Sequence, residues 1–385
     1  MPSHVPVIVI GGGTMGTAAA WALGKRGIPA LLLEQFGHVH AFGAHSGRTR
    51  IFRHAYAESP DYVPFVLRAD DLWQELEAFS GQQVLVRTGG LDLAAPGFDH
   101  AAAAYESCAQ WNLPVERLSG AEVRHRWPGF AIPEDWDASF SSQAGYLKVE
   151  PALRALAAAA RGLGVAIHEH EPALSWRADG EGFRVESATA SYTADHLIVT
   201  AGAWAGQMLA ELRLPLTILR KTLFWFAADA PERFTIENFP IFIAASGAGN
   251  MYGFPLGDEP GVKVANHSGG DLVDLGTVDR TVQPGEEEEV SAWVQTHLSG
   301  VSSRVVDSAA CLYTMTPDGD FVLDRHPAHR RVAIGAGFSG HGFKFTPAIG
   351  EVLVDLILDP AATSLPRLRL ARLAGALAGQ PSALS

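Results

Sequence analysis

The stretch that most limits what this chain can fold into is VPVIVIGGGTMG, residues 5–16. Val5–Ile10 is a short, branched, uninterrupted apolar run, the pattern of a strand buried on both faces of a parallel sheet. Gly11-Gly12-Gly13-Thr14-Met15-Gly16 follows and satisfies G-x-G-x-x-G. Ala18–Leu23 then reads as a helix packed closely on the sheet and ended by Gly27, and Ala30–Leu33 as the next strand, with Glu34 at its end. Gly11 permits the tight turn, Gly13 lets the backbone approach a pyrophosphate, and Gly16 lets helix and strand close up. Together with Thr14 and Met15 they open a helix whose free N–H groups and partial positive charge favour a phosphate. Glu34 is placed to accept hydrogen bonds from a ribose diol, and its charge would repel a 2′-phosphate. The unit predicts dinucleotide binding and leaves NAD and FAD both open.

At 385 residues the chain exceeds one ordinary core, so two domains or one large composite are expected. A formal charge of −13 speaks against a nucleic-acid partner, because too little is basic to displace counterions from phosphates. A small anionic substrate would need a local cluster of cations. The two cysteines cannot build a disulfide framework or a four-ligand zinc site. VPVIVI is too short to span a bilayer and lacks the flanks of a signal peptide, and no other segment reaches membrane length. A cytoplasmic protein with no membrane partner is expected. HEHEP, residues 168–172, falls on a strand-like run whose neighbours face opposite ways, so no metal site is expected there or elsewhere. Neither a G-x-S-x-G elbow nor a P-loop is present, which removes the common hydrolase and phosphotransferase readings.

Residues 41–56, AFGAHSGRTRIFRHAY, read as a cationic loop carrying Arg48, Arg50 and Arg53. A helix is expected over Tyr62–Ser80, strands within QVLVRTG and LDLAA, and a helix around His100–Trp111. AGYLKVEPALRALAAAARGLGVAIHEH and DHLIVTAGAWAGQML supply later strands of the first sheet, while 216–310 holds many short β-rich runs. RVAIGAGF is the last strand, before a glycine loop and a helix signalled by Thr346 and Pro347. The fold class is α/β: a discontinuous Rossmann-like domain (1–85, 148–215 and 313–385) with a β-rich α+β substrate-binding domain (86–147 and 216–312).

GGGTMG, HSGRTRIFRHAY, YGFPLGDEPGVKVANH and ACLYTMTPDGDFVLDRHP…AGFSGHGFKFTPAIGE, taken together, resemble the monomeric sarcosine oxidase and N-methyltryptophan oxidase family of flavoenzymes, in order and over nearly the whole chain. The resemblance makes FAD the dinucleotide, tethered by a thioether from Cys311. It implies that Arg53 and Lys344 hold a substrate carboxylate and that Lys263 activates O2. A planar guanidinium fork and an ammonium point charge suit a carboxylate, and a fixed cation suits superoxide. The same resemblance lays Arg50 over the flavin and puts Tyr252, His267 and Tyr313 near the substrate. Ser46, Thr49, Gly340, His341, Phe343 and Lys344 fall at the cofactor. His45-Ser46-Gly47 departs from the family's His-His-Gly, replacing an imidazole with a hydroxyl. Cys108 is expected to be packing. The implied reaction oxidises the carbon–nitrogen bond of a secondary amino acid, N-methyl or cyclic, in a monomer, with O2 reduced to H2O2. A dehydrogenase using another acceptor and a flavin-carrying subunit without turnover stay open.

Overall fold

The computed structural model describes residues 3–374. The strand Ser3–Ile10 lies between Ala30–Leu33 and Ser191–Val199, parallel to both. Its side chains alternate between two cores. Val7 and Val9 pack with the helix Thr14–Lys25, and Ile8 and Ile10 join the cluster on the other face. This two-sided burial is why the run is apolar throughout. Along the sheet, the order is Ala173–Asp179, Gly182–Ser187, Ser191–Val199, Ser3–Ile10, Ala30–Leu33 and Ala166–His168. The far half of Ser191–Val199 also pairs in parallel with His329–Ala336, which is antiparallel to Val322–His326. Helix Thr346–Leu358 crosses Thr14–Lys25 so closely that a Cβ on Gly350 would lie 2.5 Å from the Ala18 carbonyl carbon. Four parallel strands thus end at Ile10, Leu33, Val199 and Ala336, and the loops that follow them converge at the carboxyl edge, where this architecture binds ligands.

The central runs form a nine-stranded sheet built on Thr217–Ala228, Ile241–Ser246, Gly249–Phe254 and Val262–Asn266, with Gly90–Ala94, Asp137–Ser141 and Glu116–Ser119 at one end. Val290, Trp293 and Val294 of the helix Glu288–His297 cover one face against Phe224, Phe242 and Met251. Val301–Met315, one long strand, pairs with Thr217–Ala228 and is continuous through residues 312–313.

Two expectations need correction. The cationic loop contains a strand, Thr49–Phe52, antiparallel to Gly145–Lys148. Arg50 masks its period, because its head is half withdrawn from solvent and bonded to backbone carbonyls. Gly145–Lys148 therefore belongs to a separate three-stranded sheet with Leu85–Arg87, not to the first sheet, which takes only Ala166–His168 from that strand–helix–strand unit. Among the described residues, no helix is long and apolar enough to cross a membrane and no cluster of His, Cys, Asp and Glu could hold a metal.

Candidate active site

A cleft of about 420 Å³ opens at the carboxyl edge of the first sheet. Gly11, at φ +96°, would place a Cβ 2.6 Å from the Thr200 oxygen, and a Cβ on Gly16 would lie 1.9 Å from the Gly11 oxygen. Both are glycine because the turn is closed against itself. Gly13 differs: it lines the cleft, and a Cβ there would meet no protein atom within 4 Å. The space is kept clear for something other than protein. Thr14, Met15 and Glu34 share this wall. The Glu34 carboxylate accepts the backbone N–H of Gly12 at 2.7 Å and of Phe36 at 2.8 Å, while burial pushes its pKa up. Across the cleft stand Leu312, Tyr313 and Thr314 with the loop from Gly337 to Gly340. Gly340, at φ +79°, would drive a Cβ to 2.3 Å from the Tyr313 ring.

A second chamber, also about 420 Å³, shares Arg50, Tyr313, Gly340 and Phe343 with the cleft. Its polar wall is Arg53, Glu58, His341 and Lys344, and Phe98, Ala103, Ile243 and Ala245 line it elsewhere. Arg53 is 2% exposed and grips both oxygens of Glu58, at 2.9 and 2.8 Å, with Asp92 3.5 Å away. Burial opposes its charge, but Glu58 and Asp92 outweigh that and hold its pKa above the ordinary value. Burial likewise opposes the Glu58 charge, and Arg53, His341 and Lys344 hold it well below the usual carboxylate range. The Glu58 side chain remains 40% exposed to the chamber, so solvent screens the pair. Lys344 donates to the His341 carbonyl at 3.0 Å and sits 5.0 Å from the Tyr56 ring centre. Burial, then Arg53, draws its pKa down to about 7. His341 bonds Tyr56 Oη through Nδ1 and the Gly319 oxygen through Nε2, and burial lowers it to about 3, a neutral imidazole. His267 lies 3.3 Å from Tyr313 Oη and is lowered by burial to about 4; burial also raises Tyr252 and Tyr313.

Arg50, where cleft and chamber meet, shares one loop with a second cation, Lys263, which lines neither cavity. Arg50 donates to the carbonyls of Ala44, Ser46, Gly47 and Thr49. Lys263 is fully buried and donates to Gly47 O at 2.7 Å and to Thr49 O and Oγ1 at 3.0 Å, beneath the rings of Phe254 and Trp225. Burial and then Arg50 push its pKa well down. Gly47, at φ +91°, lets the loop turn inward against Leu223.

Residues 6–356 match the family described as FAD dependent oxidoreductase. The chain belongs to that family. It is 38% identical to the monomeric sarcosine oxidase of Bacillus sp. (strain B-0618) over 363 residues, 93% of each chain. It is 34% identical to the N-methyl-L-tryptophan oxidase of Yersinia pestis (strain Pestoides F) over 371 residues, 95% of this chain and 98% of that one. The solved structure of NikD, an unusual amino acid oxidase essential for nikkomycin biosynthesis, superimposes with a TM-score of 0.84 at 22% identity, covering 95% and 97% of the two chains. That last likeness bears on the fold alone.

The residues present fit the FAD that this oxidoreductase family uses. Gly13 leaves the pyrophosphate approach open, and His45 Nε2 is buried in the cleft wall with no partner. Burial lowers His45 to about 3, so its ring is neutral there. Of the residues expected at the cofactor, Gly11, Gly13, Thr14, Met15, Glu34, Arg50, Gly340 and Phe343 line the cleft. His341 and Lys344 line the chamber, together with Arg53, Tyr252, His267 and Tyr313. Gly16 packs behind the turn. Ser46 and Thr49 line a third cavity of about 530 Å³ on the other side of the Arg50 loop. Cys311 lines none of these cavities; it is buried among Leu223, Trp225, Ala265 and Tyr313. Cys108 packs separately with Ala55 and Ala104, its thiol pushed up to about 12 by burial. Sequence reasoning missed Glu58 and Asp92. A carboxylate five residues beyond Arg53, in the same cationic segment, was the available signal for Glu58.

Proposed function

We propose that this FAD-dependent oxidoreductase oxidises the carbon–nitrogen bond of a secondary amino acid, N-methyl or cyclic, and returns the electrons to O2 as H2O2. One observation carries the reading: two buried cations, Arg53 and Lys344, stand in the wall of a chamber that adjoins the dinucleotide cleft at Arg50 and Tyr313. FAD, when bound, supplies the two-electron acceptor. Arg53 and Lys344 receive the substrate carboxylate. Glu58 rests on Arg53 in the position such a carboxylate would take, so binding exchanges one carboxylate for another. Charge-assisted hydrogen bonds of about 1.5–3 kcal/mol each hold the amine end toward the shared wall. Tyr252, Tyr313 and His267 fix that end laterally; His267 is neutral at physiological pH and offers a lone pair rather than a charge. None of these is placed as a general base, so the amine reacts in its neutral form. Lys263, held by three oxygens, lends positive charge where oxygen is reduced.

The same reading makes the flavin thioether-bound through Cys311, and the enzyme a cytoplasmic monomer with no nucleic-acid or membrane partner. The test is to offer sarcosine, N-methyltryptophan, pipecolate and proline to the purified protein and measure peroxide. Stoichiometric peroxide in air with a yellow acid precipitate is expected. Reduction of an artificial acceptor without peroxide would instead make the protein a dehydrogenase.

A further inference from the structure

A buried lysine outside the machinery described above stands beside Cys311. Thr217–Ala228 and Val301–Met315 are antiparallel, and Lys221 is the direct cross-strand partner of Cys311. Directly opposed residues project from the same face with Cβ atoms about 4.5–5.5 Å apart. Lys221 is 5% exposed, and its Nζ donates to the carbonyls of Ser268 and Gly269. An ammonium carries three N–H groups. Two are engaged by these carbonyls, and the third has no acceptor among the described residues.

The backbone is shaped to hold the lysine there. Gly270, at φ +109°, would put a Cβ 2.7 Å from Lys221 Cδ and 3.4 Å from Nζ, so only glycine lets this turn close over the side chain. Nζ is 5.9 Å from the ring centre of Tyr313, which lies two residues from Cys311 on the same strand face. The other cations near the sulfur are already engaged, Arg50 by four carbonyls and Lys263 by three oxygens.

We infer that Lys221 is the residue that ionises Cys311 for attachment of the flavin, its free N–H donating to the thiolate. This rests on the reading of Cys311 as the attachment point. In the step, the S–H bond breaks and sulfur bonds to the carbon of the flavin's 8-methyl group, which loses one C–H bond. The two electrons released pass through the flavin to O2, which leaves with the two protons as H2O2. Electrostatics agree with the geometry. Burial pushes the Cys311 thiol above its ordinary value, and Arg50, Lys263 and Lys221 offset part of that rise, with the phenols of Tyr252 and Tyr313 nearby. Lys221 is drawn down to about 8 by burial, against Cys311, Glu289 and Asp271, with His267 also within its field. It is therefore charged in most molecules at pH 7, where the thiolate needs it.

The experiment compares Lys221→Gln and Lys221→Arg in a Cys108→Ser background. Flavin-free full-length protein is given FAD, and covalent attachment is followed as the mass gain of one FAD and as acid-insoluble flavin fluorescence. Before FAD is added, iodoacetamide alkylation of Cys311 is measured against pH. For Lys221→Gln the alkylation midpoint should rise by about one pH unit and attachment at pH 7.5 should slow about tenfold, since each unit is tenfold in thiolate. Lys221→Arg should keep both within threefold. Unchanged alkylation and attachment in Lys221→Gln would overturn the inference while leaving the thioether itself standing. Wild-type protein that sheds all its flavin into acid would instead overturn the attachment point. If Lys221→Gln folds poorly, Lys221→Met takes its place: the same rise in the alkylation midpoint over wild type and the same slowing of attachment are expected, and unchanged values would overturn the inference.

Discussion

Lys344 offers the sharpest test of the carboxylate clamp, because its charge changes inside the working pH range. Burial and Arg53 bring it to about 7, whereas Arg53 is held above its ordinary value and stays charged throughout. His267 and His341, lowered to about 4 and 3, are neutral across the range and contribute no slope. Below pH 7 Lys344 is already an ammonium in the free protein, and a carboxylate finds both cations ready. Above pH 7 binding must first recharge Lys344, so affinity falls as pH rises. The slope is tenfold per pH unit, or about 1.36 kcal/mol. The fall stops when the whole lysine–carboxylate hydrogen bond has been forfeited. At about 1.5–3 kcal/mol that bond spans one to two decades, so the curve levels off between pH 8 and 9. The assay uses a small monocarboxylate with no amine, so that no substrate ionisation intrudes. Its Kd is read from the flavin spectrum between pH 6 and 9, and proton uptake from a pH dye. Lys344→Met should bind about ten- to hundredfold more weakly at pH 6 and show no slope. A Kd flat across the range in the wild type, or the same slope surviving in Lys344→Met, would refute the reasoning.

Glu58→Gln removes the carboxylate that competes for Arg53. With 40% of that side chain exposed the pair contributes at most about 1 kcal/mol, so KM should drop up to about fivefold; a rise would make Glu58 a binding group instead. Lys263→Met should slow reoxidation by O2 by about three decades and spare anaerobic reduction by substrate, since a charge about 4 Å from superoxide at an effective dielectric of 20 contributes about 4 kcal/mol; stopped-flow measurement of the two half-reactions separates them. A Cβ at Gly13 meets no protein atom within 4 Å, so flavin-free Gly13→Ala should melt at an unchanged temperature while flavin content falls below a tenth, as absorbance and thermal scans would show. The apolar lining of Phe98, Ile243 and Ala245 should favour N-methyl amino acids with bulky apolar side chains over sarcosine by at least tenfold in kcat/KM, and Ala245→Phe should reverse the order.

The glycine turn, the first strand and helix, and the acidic residue after the second strand were legible because each obeys a local rule: period, breaker or close approach. Arg53 and Lys344 were legible only through resemblance, since a buried cation and a solvated one look alike in a string of letters. Lys263 makes the case clearly. Its alternation with Val262 and Val264 reads as a strand with one wet face, yet the fold wraps the Gly47–Thr49 carbonyls around its ammonium. Those carbonyls lie more than two hundred residues upstream, beyond any local pattern. Lys221 was missed for the same reason; Glu58 was missed although Arg53 is only five residues away, because the letters do not show that the turn folds one onto the other. Each gains its meaning from a partner on another element, Arg53 across a short turn and Cys311 across a strand pair.

These partners also explain how an acidic protein can take an anionic substrate. Arg53, Lys221, Lys263 and Lys344 are all buried, and Arg50 is half-buried beside them, in a chain whose net charge is −13. Buried charge is unfavourable unless paired, and Glu58 and Asp92 offset Arg53 and Lys344, while Glu259 acts on Lys263 and Glu289 and Asp271 act on Lys221. Backbone carbonyls carry the rest, each as a dipole that satisfies a donor without neutralising it. On the function proposed above, donors held by dipoles keep a positive potential in a low dielectric, which a substrate carboxylate and then the negative charge of a reduced cofactor would relieve. A site built from two neutralised ion pairs would bind the carboxylate no better than water does. Leaving the cations on dipoles instead stores the attraction until the reacting charge arrives, as catalysis by preorganised electrostatics requires.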